Sequence, residues 1–209
     1  MSRSPYQRAL GGAFAGLHPN LLAYFSALPA GAVGDGAGVF DVVGTPRRWL
    51  WPALWVLGRA GIVFPVWEHD VPFTVSNRPT TDATGEGAVA AVRRFRFPGG
   101  DREMIDVISC GPDGLVDRLG AGGLVEASFQ ATVADHALAL RSDRIRVRVG
   151  SVRIPVPAWV SPLVTLSERF DDASGRQRIA LTVDAPLIGR LYEYSGSFRY
   201  SVSNGGVPS

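Results

Sequence analysis

Two neighbouring arginines, Arg93 and Arg94, stand in a run of alternating residues that continues through Phe95 and Phe97. Successive residues of a strand point to opposite faces, so one of the two arginines must face inward whatever the register. With Phe95 and Phe97 toward the core, that residue is Arg93. By the same alternation Glu168 shares a face with Val164, Leu166 and Phe170. A guanidinium and a carboxylate inside an apolar interior are costly unless partnered. Two outcomes are open. Arg93 and Glu168 form a structural ion pair, or they stand at a cavity wall and orient the polar group of an otherwise apolar ligand. In the second case Arg93 stabilises negative charge and Glu168 carries a proton. Tyr192 and Tyr194, on a face with Tyr200, bring hydroxyls that need partners when buried. Together with Phe95, Phe97 and Phe129 they would contact the ligand.

Other chemistries find less support. The only histidines, His18, His69 and His136, are far apart in sequence, and Cys110 is the single cysteine, so no metal ligand cluster is expected. Glu68-His69-Asp70 is adjacent along a strand and cannot converge without a turn. There is no Gly-x-Gly-x-x-Gly opening a helix and no P-loop, and Gly120-Ala121-Gly122-Gly123 reads as a hairpin loop. All 21 basic residues are arginine, which removes Schiff-base and lysine-base chemistry. No cofactor is expected. Cys110 lacks a neighbouring base and reads as a structural thiol. The Arg144, Arg146, Arg148 stripe alternates with aliphatic residues and reads as a solvated outer face. With a formal charge of only +2, no nucleic-acid partner is expected.

These side chains need a framework. Ser4-Pro5 reads as a helix cap, followed by Tyr6, Ala9, Leu10, Ala13, Phe14 and Leu17 at helical spacing. A second short helix starts at Pro19, and the Gly/Ala stretch Ala30–Gly38 reads as a linker. From Trp49 to Trp67 the chain is apolar, but Pro52, Gly58, Gly61 and Pro65 break it, so a short helix near Ala53–Gly58 is predicted and no membrane span. Its tryptophans, Trp51 and Trp55 among them, are either core or a movable lid that touches the ligand. Beyond Trp67 period-two alternation takes over. Gly111–Gly114, Ser142-Asp143 and Asp171–Gly175 serve as turns, and a phase shift at Gly150 reads as a β-bulge. Strands joined by short turns imply an antiparallel meander. The predicted fold class is mainly β (α+β), a meander closing into a barrel or curved cup with two or three N-terminal helices packed against it. With 209 residues, 46% of them hydrophobic, residues 1–209 read as a single domain, helical over about 4–60 and β over about 68–203.

The runs Ser4-Pro5-Tyr6-Gln7-Arg8-Ala9-Leu10 and Asp113-Gly114-Leu115-Val116-Asp117-Arg118-Leu119-Gly120, prolines 155, 157 and 162, and Pro186-Leu187-Ile188-Gly189 through Tyr194-Ser195-Gly196 resemble a bacterial family of unknown function. That family occurs alone or attached to saccharopine-dehydrogenase-like proteins. Ala83–Asp106 departs from its pattern. The resemblance implies a self-contained bacterial domain and supplies no catalytic residues.

The function expected is binding of a small, mostly apolar molecule in a β-cup. On that molecule the protein acts as a cofactor-independent enzyme of cyclisation, isomerisation or dehydration. A lipid-like ligand carrier and a protein-interaction module are the alternatives. A lone cysteine and an N-terminus without an apolar signal segment point to the cytoplasm, and a homodimer is compatible with the sequence.

Overall fold

Ser4 starts the first helix, α1 (Pro5–Leu10), through a capping box: its hydroxyl accepts from the Gln7 amide at 3.1 Å, and the Gln7 side chain accepts from the Ser4 amide at 2.8 Å. The same hydroxyl donates to the Phe25 carbonyl at 2.5 Å and ties α1 to the end of α2 (Pro19–Phe25). A 3-10 segment, Gly11–Gly16, joins them. The computed structural model describes residues 3–204.

Eleven strands follow, with one further helix, α3 (Trp51–Arg59), between the first two. They are β1 (Ala32–Gly44), β2 (Trp67–Thr81), β3 (Gly87–Phe97), β4 (Gly100–Gly111), β5 (Gly114–Leu119), β6 (Val125–Ala134), β7 (Ala137–Val149), β8 (Val152–Pro155), β9 (Leu163–Asp171), β10 (Arg176–Ala185) and β11 (Gly189–Asn204). All neighbours are antiparallel. β1 through β7, then β9, β10 and β11, form a ring in which β11 returns to β1. This is the expected antiparallel barrel, and closure leaves its wall without free edges. β8 lies outside the ring: the first part of β7 pairs with β9 over Leu138–Arg141, and its last part pairs with β8 over Arg146–Val149.

Three details differ from the sequence reading. Ala30–Gly38 is no linker, because residues 32 to 38 belong to β1. Its glycines make room for inward aromatics of β11: a Cβ at Gly34 would lie 1.6 Å from the Tyr200 hydroxyl, and one at Gly38 would lie 2.6 Å from the Phe198 Cβ. Ser142-Asp143 is a β-bulge inside β7, not a turn. There β7 parts from β9, and the Ser142 hydroxyl accepts from the Val164 amide at 2.8 Å, replacing a ladder bond. Gly150 is a hairpin turn between β7 and β8, with φ +61°, rather than a bulge.

The barrel has two unlike ends. The short β2–β3, β4–β5, β6–β7 and β9–β10 connections gather at one end, where α1 and α2 close the interior. Tyr6, Leu10, Leu17, Leu21 and Phe25 pack there on Leu115, Phe129 and Leu138. The β1–β2 connection with α3, the β7–β8–β9 segment and the β10–β11 turn gather at the opposite end, the mouth. Inside, the β1–β3 and β11 side is filled by rings: Phe40, Phe73, Phe95 and Phe198 with Phe64.

Candidate functional site

The other side of the interior is not filled. A cavity of about 340 Å³ lies between the inner faces of β4 to β7 and β9 to β11, near the lower bound of roughly 300–1,000 Å³ for small-molecule sites. Its wall is mostly aliphatic, with Leu115, Ala127, Ile145, Leu166 and Leu181 on the strands. Leu54 and Leu57 of α3 and Pro162 cover it toward the mouth.

Polar groups meet the cavity in one zone. Arg93 on β3, Asp106 on β4 and Asp117 on β5 descend diagonally across three neighbouring strands, because Asp106 pairs with Ala91 and Leu119, and Asp117 with Ile108. Arg93 and Asp106 form a hydrogen-bonded ion pair, their side chains 14% and 1% exposed. Glu168, on β9, accepts a hydrogen bond from the Gln177 carboxamide of β10. Two side-chain atoms in this zone have no partner: one carboxyl oxygen each of Asp106 and Asp117. Buried oxygens of this kind are uncommon and call for a donor.

Burial sets the protonation of these groups. It pushes the Glu168 carboxyl up to about 7, partly countered by the Gln177 hydrogen bond and the Arg93 charge. Asp117 is pushed well above the usual carboxylate range by burial and by the Asp106 charge beside it. One flank of Asp117 is accessible, but that flank faces the cavity and not bulk water. Asp106 is raised by burial and held back by Arg93, whose own charge that partner secures against desolvation. Burial likewise raises the Tyr6, Tyr192 and Tyr194 phenols, so they act at neutral pH as donors. The site therefore holds one buried ion pair, a carboxyl at Asp117 that burial biases toward its protonated form, and a carboxyl at Glu168 that titrates near neutrality.

Arg93, Glu168, Phe129, Tyr192 and Tyr194 all line the cavity. Arg93 and Glu168 do not pair with each other: β4 supplies Asp106 to Arg93, and β10 supplies Gln177 to Glu168. Phe95 and Phe97 stand apart in the packed aromatic half, their rings 5.7 Å apart. Trp51 and Trp55 do not line the cavity either. The residues that α3 turns inward are Leu54 and Leu57, one turn apart, which puts Trp55 outside at 56% exposure. Trp51 packs on the aromatic core, and its indole N–H donates to the Thr45 carbonyl at 3.4 Å. The arginine stripe is not simply solvated. Arg146, Arg118 and Arg153 converge at 2.8 to 3.1 Å on Glu126, 5% exposed, and clamp β8 to the wall.

Asp106 and Asp117 escaped the sequence reading, yet their signal was present. Asp106 alternates with Met104 and Ile108, and Asp117 with Leu115 and Leu119, which are inward positions by the same argument that singles out Arg93.

Residues 17–198 match the family model described as a domain of unknown function, DUF4166. An uncharacterized protein of Bacillus subtilis (strain 168), YndH, is 25% identical over 134 residues, which is 62% of this chain. The chain spans about 65% of that relative's length.

Proposed function

The chain belongs to the DUF4166 family, a bacterial domain of unknown function, and for this member we propose binding of, and proton-transfer chemistry on, a small apolar metabolite with one polar group. The observation that carries the reading is the unpartnered Asp117 carboxyl, opening with Glu168 and Arg93 on a cavity whose wall is otherwise mostly aliphatic. The apolar body of the ligand would occupy the space among Ala127, Ile145, Leu166 and Leu181, with its polar group toward Arg93. Asp117, biased by burial toward its protonated form, donates a proton, and ionised Glu168 removes one elsewhere on the same molecule. An isomerisation or cyclisation of this kind gains and loses no atom. In a dehydration, the proton from Asp117 departs with the hydroxyl as water. Release of product lets solvent return the proton from Glu168 to Asp117. Arg93, already paired to Asp106, offsets negative charge that develops nearby.

We further propose that the barrel and its helices fold as one unit, that the protein works in the cytoplasm, and that it associates with saccharopine-dehydrogenase-like proteins. The last would place the barrel beside an enzyme whose product it takes up.

Two measurements test the reading. The neutral probe N-phenyl-1-naphthylamine should fluoresce on binding, and Ala127→Trp, which fills the cavity, should weaken that binding about tenfold or more while the protein still melts cooperatively. Equal binding by a folded Ala127→Trp protein would remove the cavity from consideration. Native mass spectrometry should then compare molecules co-purifying with wild type and with the Asp117→Asn/Glu168→Gln variant. Different compounds, related by isomerisation or by loss of water, are expected. The same compound in both would make the protein a carrier.

A further inference from the structure

Large apolar side chains that stand exposed are concentrated at one end of this barrel. Among the described residues only Val39, Val92 and Val202 lie elsewhere. At the mouth are Trp49 (62% exposed), Trp55, Val152, Ile154, Trp159 (75%) and Leu187 (107%), contributed by the three separate segments that meet there. Leu187 is the clearest case. It sits at the tip of the β10–β11 turn with φ +65°, a backbone conformation that a branched side chain rarely adopts, and it is fully in solvent. A hydrogen bond from the Ile188 amide to the Pro186 carbonyl at 2.7 Å holds the turn, and the Leu187 side chain itself has no apolar cover.

The connections at the two ends differ in charge, while the strand termini at the mouth carry both signs, Glu68 and Asp101 together with Asp184 and Glu193, which pair with Arg190. The connections at the mouth carry Arg47, Arg48 and Arg59 and no carboxylate. The strand-to-strand connections at the opposite end carry Asp82, Glu86, Asp113, Asp135 and Asp172 and no arginine. Two mouth arginines are laid over tryptophans: Arg59 lies 5.1 Å from the Trp55 ring centroid, and Arg48 lies 5.6 Å from that of Trp51. Indole rings with guanidinium groups beside them suit the headgroup layer of a membrane, where an apolar body and a charged partner are both accommodated.

We propose that the mouth of the barrel docks on the surface of a bilayer containing anionic lipid. The tryptophans, Val152, Ile154 and Leu187 enter the interfacial layer, and Arg47, Arg48 and Arg59 meet lipid phosphates. The acidic end then faces away from the membrane, and electrostatic repulsion disfavours the inverted orientation. Docking of this kind places α3, which covers the cavity, against the bilayer, so an apolar molecule could pass between lipid and cavity without crossing water. The docking itself does not depend on what the cavity does.

Flotation with vesicles of phosphatidylcholine and phosphatidylglycerol, and with phosphatidylcholine alone, tests it. The full chain should bind the mixed vesicles, release as salt is raised, and bind the neutral vesicles much less. The double variant Trp55→Glu/Trp159→Glu should keep the wild-type melting temperature, because both residues are exposed, and lose about tenfold or more of its vesicle binding. Arg47→Gln/Arg59→Gln should reduce binding to mixed vesicles and leave binding to neutral ones unchanged. Ala127→Trp should bind vesicles normally, which separates this proposal from the cavity reading. Absence of vesicle binding, or binding that both double variants retain, overturns it. A concentration-dependent dimer that Trp55→Glu/Trp159→Glu dissolves, without vesicle binding, would assign the surface to self-association instead.

Discussion

Asp106→Ala is expected to destabilise the protein by about 3–5 kcal/mol, the range for stranding one partner of a buried ion pair. The side chains of Asp106 and Arg93 are 1% and 14% exposed, and removal of the carboxylate leaves the guanidinium in an apolar interior without the one salt bridge it makes among the described residues. Arg93→Met should cost a similar amount. The double variant Arg93→Met/Asp106→Leu should recover much of the loss, because two apolar side chains remove both desolvation penalties together. A double-mutant cycle in urea should therefore give a coupling of at least about 3 kcal/mol, at or above the top of the range usual for contacting pairs. A parallel cycle on Arg93 and Glu168 should come out nearly additive, since Glu168 bonds to Gln177 and meets Arg93 only through space. The reverse pattern, strong coupling to Glu168 and none to Asp106, would contradict the site geometry.

Stability should fall, not rise, between pH 5 and pH 7, and Glu168→Gln should remove much of that slope. The Glu168 carboxyl titrates near 7 in the folded protein against an ordinary value of 4.5. Between those values the native state binds a proton that the unfolded chain has released. The stabilisation is thus complete only below about pH 4.5, is already declining at pH 5 and is lost as pH climbs through 7. A shift of this size corresponds to about 3 kcal/mol. Asp117, also raised, adds a slope of the same sign, which should persist in Glu168→Gln. Surface carboxylates such as Asp82 and Asp171 are lowered by local hydrogen bonds and act in the opposite sense at more acidic pH, outside this window. Chemical denaturation at half-unit intervals would measure it. Parallel profiles for wild type and Glu168→Gln from pH 5 to pH 7 would show that Glu168 does not titrate there.

The same interior groups connect stability with the proposed chemistry. A carboxyl kept neutral by burial costs little while it is protonated and becomes a proton donor as soon as a basic or unsaturated group is placed against it. The arrangement that makes the fold more stable in mild acid is therefore the one that would let Asp117 and Glu168 exchange protons with a ligand.

Local pattern determined much of this protein. Alternation predicted the antiparallel barrel, Ser4 caps the first helix as expected, and inward positions follow from period two, which places Arg93 and Glu168 inside. Those are consequences of backbone geometry, and they hold whichever strand lies next door. What alternation leaves open is which inward residues meet. The partner of Arg93 is Asp106 because β4 lies beside β3 at a register that sets them diagonal, and Glu168 reaches Gln177 through the register of β9 with β10. Tertiary packing alone decided that Phe40, Phe73, Phe95 and Phe198 fill one half of the barrel and leave the other hollow, with the glycines of β1 making room for Phe198 and Tyr200 of β11 on that side. It also decided that residues 32 to 38, glycine-rich and turn-like in isolation, are a strand, because pairing on both edges with β2 and β11 outweighs weak intrinsic propensity. The mouth, with its tryptophans, arginines and Leu187, is assembled from segments more than a hundred residues apart in sequence, and only closure of the ring brings them to one end.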